Sequence, residues 1–97
     1  MQVQVIIGST APGKNTTLQQ IQEELASQGI HVPIIVGASY TTPFFLNQIA
    51  SNAIAGAKHF LADDCTQFQI KAVLGLAAQE EKSGLPHDLV VHLVRKA

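Results

Sequence analysis

The chain predicts a three-layer α/β/α domain built on a four-stranded parallel sheet, and three observations carry that reading. Short β-branched apolar runs alternate with stretches of helical periodicity, the connections between them are short, and the runs are apolar nearly throughout. The alternation is that of repeated β-α-β units. Strands apolar on both faces suit a parallel sheet covered by helices above and below. At 97 residues the chain is one small domain. Such a domain buries roughly 65% of the surface its unfolded chain exposes.

Residues 3–7 (Val-Gln-Val-Ile-Ile) form the first strand, with Gln2 and Gln4 marking a partly exposed start. A first helix is expected over about 16–28. Leu18, Ile21 and Leu25 make one apolar stripe there, and Gln19, Gln20, Glu23 and Glu24 face water. Thr16 with Gln19, or Thr17 with Gln20, could form a capping box, and Gly29 closes the helix. The second strand spans 30–36, and Pro33 inside it removes a ladder donor, which places it at a sheet edge.

Thr42 is the expected N-cap of a second helix over 43–56, with Pro43 at its first position. Phe45, Leu46, Ile49, Ala50, Ala53 and Ile54 mark its buried face. A third strand covers 58–62 and is followed by Asp63-Asp64. The third helix spans 66–82 with Phe68, Ala72, Val73, Leu76 and Ala77 inward and Gly84 as its stop. Gly75 inside that helix is compatible with close packing. After Pro86, residues 89–94 are the fourth strand.

Composition narrows the partners. Hydrophobic residues make up 46% and charged residues 13%, about half the usual charged share. So plain a surface points towards a homo-oligomer. The net charge of −1, with six Lys and Arg scattered along the chain, argues against general nucleic-acid binding. The single cysteine, Cys65, cannot close an internal disulfide and fits a reducing compartment. No signal peptide or membrane-spanning stretch is evident, so a cytoplasmic protein is expected.

In an open parallel sheet ligands sit beyond the carboxyl ends of the strands. Four segments are expected there: the loop 8–17, the loop 37–42 with Tyr40, the acidic pair, and Arg95-Lys96. The first is the most informative. Gly8-Ser9-Thr10-Ala11-Pro12-Gly13-Lys14-Asn15-Thr16-Thr17 lies between a strand and a helix start, where loop amides and a helix N-terminus favour an anion.

Gly8 to Lys14 fits G-x-x-x-x-G-K and resembles the Walker A loop of P-loop nucleoside triphosphatases. The resemblance implies that Gly8, Ser9, Thr10, Gly13, Asn15 and Thr16 line the phosphates and that Lys14 reaches their oxygens. It also implies Mg with ATP or GTP, although Asn15 stands where that family carries a serine or threonine on magnesium. His59-Phe60-Leu61-Ala62-Asp63-Asp64 is similar to a Walker B strand. By that likeness Asp63 holds the metal through water and Asp64 is the catalytic, water-activating acid. Together the two likenesses imply a small nucleotide- or phosphate-binding protein, a reduced NTPase whose chemistry is phosphoryl transfer to water.

The same loop, by Gly8-Ser9, Gly13, Asn15 and Thr16, also looks like the phosphate loop of flavodoxin-like proteins and FMN reductases. That likeness implies FMN and electron transfer, with Ala11 where many of those reductases have arginine. Tyr40 could stack on an isoalloxazine or on an adenine. Both families usually have at least five strands, against four here.

Each feature also has a plainer reading. Gly8 and Gly13 could simply allow a turn, and Asp63 and Asp64 could cap the third helix. Cys65 reads as a small buried residue. The histidines show no metal spacing, His92 reading as a satisfied strand residue. On these readings the chain is a non-catalytic interaction module that pairs through an open sheet edge.

Overall fold

The computed structural model describes residues 1–6, 11–79 and 88–95, and for residues 11–16 the backbone alone. Strand β1 (Gln2–Ile6) leads to helix α1 (Ala11–Ser27), and β2 (Ile34–Val36) is followed by a single 3-10 turn (Gly37–Ser39) and α2 (Thr42–Ile54). Then come β3 (His59–Cys65), α3 (Gln67–Ala78) and β4 (Val90–Arg95). All pairings are parallel, and the order across the four-stranded sheet is β1-β4-β3-β2. The expected fold class is the one observed.

That order decides how the sheet is covered. Parallel crossovers are right-handed, so the direction of a step fixes the face its helix takes. The connection from β1 to β2 spans the whole sheet one way and lays α1 over β3 and β4. The steps β2 to β3 to β4 return the other way and lay α2 and α3 on the opposite face. The main core lies there: Phe45, Ile49 and Ala53 of α2, Ile70 and Val73 of α3, and Phe60, Ala62, Val91 and Leu93 from the sheet. Phe45 meets Phe60 edge-to-face with ring centroids 5.8 Å apart. On the α1 face, among the described residues, Leu18, Leu61 and Val94 form a fully buried cluster, flanked by Ile6, Ile21, Val32 and Ile34.

Both helix ends before β2 and β3 are Schellman motifs, where a glycine takes positive φ and returns two amides to the last turn. Gly29 (φ 82°) donates to the Ala26 carbonyl and Ile30 to that of Leu25, at 3.0 and 2.9 Å. Gly56 (φ 97°) donates to Ala53 and Ala57 to Asn52, at 3.0 and 2.9 Å.

Several boundaries move. Helix α1 begins at Ala11 rather than residue 16, because proline is tolerated in a first turn, where its missing N–H has no intrahelical acceptor. The pairs Thr16/Gln19 and Thr17/Gln20 therefore lie inside the helix and are not caps. Strand β2 is confined to three residues after Pro33 and pairs with β3 alone, so it is the expected edge strand in shortened form. The N-cap of α2 is Thr41, not Thr42. Ile54, at the last turn of α2, is 85% exposed, and Phe68, in the first turn of α3, is 77% exposed. The α3 stripe instead runs through Gln69, Ile70 and Val73, set by the cap at Thr66. Gly75 faces solvent, with no atom within 4 Å of where a Cβ would stand, so it makes no close packing. Ile7, Lys82, Gly84 and Pro86 lie outside the described residues. No described helix is long and apolar enough to cross a membrane.

Candidate functional site

The carboxyl edge of the sheet collects the polar and strained groups. Strand β3 does not stop at Ala62. It runs through Asp63 and Asp64 to Cys65, and its register against β4 shifts between Ala62 and Cys65. The extra residue is accommodated by Asp64, the single non-glycine residue with positive φ (54°) among those described. That left-handed backbone is sterically unfavourable for most side chains, with Asp and Asn the most tolerant. The Asp63 carboxylate oxygen Oδ1 accepts the Asp64 backbone N–H at 2.8 Å, which steadies the bulge. Both aspartates remain half-buried at the edge.

Neither aspartate caps α3. Thr66 does, in a capping box: its Oγ1 accepts from the Gln69 amide at 3.1 Å, and its own N–H donates to Gln69 Oε1 at 2.9 Å. The Gln69 side chain then does a second task. Its Nε2 donates to the Gly37 carbonyl at 2.7 Å and to the Tyr40 carbonyl at 2.9 Å. One fully buried amide thus ties the turn after β2 to the start of α3. Its signal is present in the sequence as Thr66-x-x-Gln69, the spacing looked for at the first helix instead. Gly37 is needed beside it: a Cβ there would stand 2.9 Å from Gln69 Oε1 and 3.0 Å from the Cys65 Cα.

Cys65 is fully buried under this junction. Burial, aided by the charges of Asp63 and Asp64 and partly offset by a hydrogen bond from the Val94 backbone, pushes its thiol up to about 12. It is therefore a protonated packing group at neutral pH, as the plainer reading held.

The described parts of the four expected segments lie at one edge, as parallel strands require, but the strand order spreads them along it. Strands β1 and β2 are the two outer strands, three spacings or roughly 14 Å apart. Tyr40, after β2, stands at the far side, near the Asp63-Asp64 bulge and away from the end of β1. Arg95 ends β4 beside Cys65 of β3, and Val94 pairs with Ile6 at the end of β1. Of the loop residues, Gly8, Ser9 and Thr10 lie outside the described residues, as does Lys96. Gly13, Lys14, Asn15 and Thr16 fall in the first turns of α1. The expected loop is therefore helical from residue 11 onward.

Topology singles out one point on this edge. The connection leaving β1 goes to the α1 face and that leaving β3 goes to the α3 face, with β4 between them. A parallel sheet opens a crevice where connections part to opposite faces. By strand order that point falls at the end of β4, the strand that Arg95 closes, between β1, which leads to α1, and β3, which carries the aspartate bulge. Among the described residues no three His, Cys, Asp or Glu side chains come together as a metal-holding group. A divalent ion at Asp63 would thus take most of its ligands from water and a phosphate.

A second polar feature lies away from the edge, on the α1 face. His59 and His92 stack with centroids 5.8 Å apart and planes 16° from parallel. His92 is buried, and neither of its ring nitrogens has a hydrogen-bond partner, nor has His59 Nδ1. The expectation of a satisfied His92 is therefore not met. Burial first, then the neighbouring His59, holds the His92 imidazole below its ordinary value, so that ring is kept neutral.

These features define a parallel α/β/α domain whose connections reverse direction at the end of β4. Comparison with protein-family models, with curated proteins and with solved structures finds no match to this chain.

Proposed function

We propose that this domain binds a nucleotide or another phosphate compound at the carboxyl edge, over the end of β4. The observation that supports the reading is that the start of α1, the end of β4 at Arg95 and the half-buried Asp63-Asp64 bulge of β3 all lie at the carboxyl edge, on the strands between which the connections diverge. The partial positive charge at the N-terminus of a 17-residue helix favours a phosphate there. Lys14 and Arg95 supply full positive charges for the outer oxygens, and Asp63 would hold a water-solvated magnesium. Asp64 is the group that would orient a water, and the strained backbone there is the kind of feature that collects at functional sites. If the phosphate is turned over, the chemistry is positioning and charge neutralisation.

A thermal-shift series with magnesium-ATP, magnesium-GTP, tripolyphosphate and FMN tests the reading. Ligand at 100 times its Kd adds about 2.7 kcal/mol to the folded state. In so small a domain that raises the midpoint on the order of 10 °C. Lys14→Ala is expected to abolish the shift while leaving the unliganded midpoint in place. An unchanged shift in that variant removes Lys14 from the site, and no shift with any compound removes the reading.

A specific observation favours a second reading. Strand β1 pairs with β4 alone among the described residues, and its outer edge carries no charge, proline or bulge. The other outer strand is guarded by Pro33 and is only three residues long. An unguarded edge is a template for another strand, a second copy of this chain included. Light scattering that finds a monomer at high concentration counts against it.

A further inference from the structure

A groove lies on the α3 side of the sheet, lined among the described residues by Val5 of β1, Gln67, Ile70, Lys71 and Leu74 of α3, and Arg95 of β4. Its volume is about 460 Å³, within the range of small-molecule sites. The α3 residues recur at i, i+3, i+4 and i+7, so they form one stripe along the helix, and that stripe overhangs the open β1 edge. Val5, Ile70 and Leu74 give an apolar floor and wall, and Leu74 is 47% exposed. The only charged groups in the lining are the cations Lys71 and Arg95, with no carboxylate to oppose an anion. Arg95 lines this groove and also ends β4, so the groove reaches the carboxyl edge of the sheet.

We infer that this groove holds the flat ring system of a phosphate ester whose phosphates lie at the start of α1. The inference rests on the phosphate reading above and names the ligand class: a ring-bearing ester rather than a bare phosphate. An apolar floor offers a ring burial that inorganic phosphate cannot use, and the two cations accept the ester's charge at the groove mouth. It also moves the ring away from Tyr40. The strand order puts that tyrosine at the opposite outer strand, while Val5 and Arg95 lie on the paired strands β1 and β4.

Calorimetric titration of the full chain with ATP, GTP, FMN and tripolyphosphate decides it. At least one of the three esters is expected to bind tenfold or more tightly than tripolyphosphate. Which one it is separates a purine from an isoalloxazine as the occupant. Leu74→Gln, at an exposed helix position where glutamine is a good helix former, removes apolar contact without adding charge. It is expected to reduce the ester's advantage by about tenfold while leaving tripolyphosphate unchanged. Tyr40→Ala is expected to leave the advantage intact. Equal binding of esters and tripolyphosphate overturns the groove and keeps the phosphate site. An advantage that survives Leu74→Gln but is lost in Tyr40→Ala places the ring at the other side and overturns the groove as well. If no phosphate compound binds, both readings fall.

Discussion

The two faces of the sheet are built differently, although every strand contributes to both. Two helices cover one face and bury Phe45, Phe60, Ile49, Leu93 and their neighbours in a dry core. One helix covers the other, where the described residues form a smaller cluster of Leu18, Leu61 and Val94, with a buried His92 lacking hydrogen-bond partners, and Gln2 and Gln4 exposed along β1. Composition does not cause this. It results from the strand order, in which a single long crossover serves one face and two short steps serve the other. A single helix, about 10–12 Å across, spans roughly two of four strands that lie about 4.8 Å apart. Of the described residues, α1 therefore covers β3 and β4, while Gln2 and Gln4 of the outer strand β1 stay exposed.

The sharpest way to break the comparison is to cut into both cores. Phe45→Ala removes the edge-to-face partner of Phe60 and leaves a cavity between helix and sheet, with an expected loss of about 4 kcal/mol. Leu18→Ala, under α1, should cost about 2 kcal/mol, because the shallower layer can collapse or admit water. Chemical denaturation measures both, and equal losses would mean that the faces are equally well packed. A small domain has about 5–10 kcal/mol in total, so the first variant sits near the limit of folding.

Next in size is the junction that closes the two-helix face at its upper end. Gln69→Leu keeps the bulk but leaves the Gly37 and Tyr40 carbonyls and the Thr66 amide without their partner. A loss of about 3 kcal/mol is expected. Hydrogen exchange should quicken in the turn after β2 before it quickens elsewhere. Uniform loosening would show that Gln69 supports the whole core rather than this corner.

The smallest effect tests the open face by pH. The folded-state value of His92 is depressed, so below the ordinary imidazole value the unfolded chain takes up a proton that the folded chain refuses. Stability is therefore complete above about pH 6.5 and falls as pH drops towards the lowered value. His92→Leu removes two orphaned ring nitrogens and should flatten that acid limb, with an unchanged or raised midpoint at pH 7. An acid limb parallel to that of the unaltered chain would assign the pH dependence elsewhere.

Much of the fold is readable in the residues themselves. Alternating β-branched runs and helical stripes identify every element, and Gly29 and Gly56 fall at helix ends as their freedom of φ predicts. The edge character of β2 is visible in Pro33. The departures share a cause. The sequence Pro12-Gly13 reads as a turn, yet proline costs little in a first helical turn, so the helix starts before it. Phe68 and Ile54 are apolar residues whose exposure depends on where the caps set the helical phase. The strain at Asp64 arises from a register mismatch with β4, which no local pattern reveals.

By itself, then, the sequence determines the element order, the parallel sheet that short β-α-β connections compel, and a glycine- and lysine-bearing segment at a strand-to-helix junction. Only the tertiary structure decides that β1 and β2 are outer strands, that Tyr40 lies across the edge from that junction, and that Arg95 shares a groove with Val5 and α3. It also decides that Gln69 is a buried tether and that the His92 ring is buried without a partner. The physical reason is the range of the forces concerned. Propensity, capping and periodicity act within a few residues of chain, whereas strand order and the fate of a buried polar group depend on contacts between distant residues, 32 positions apart for Gln69 and Gly37.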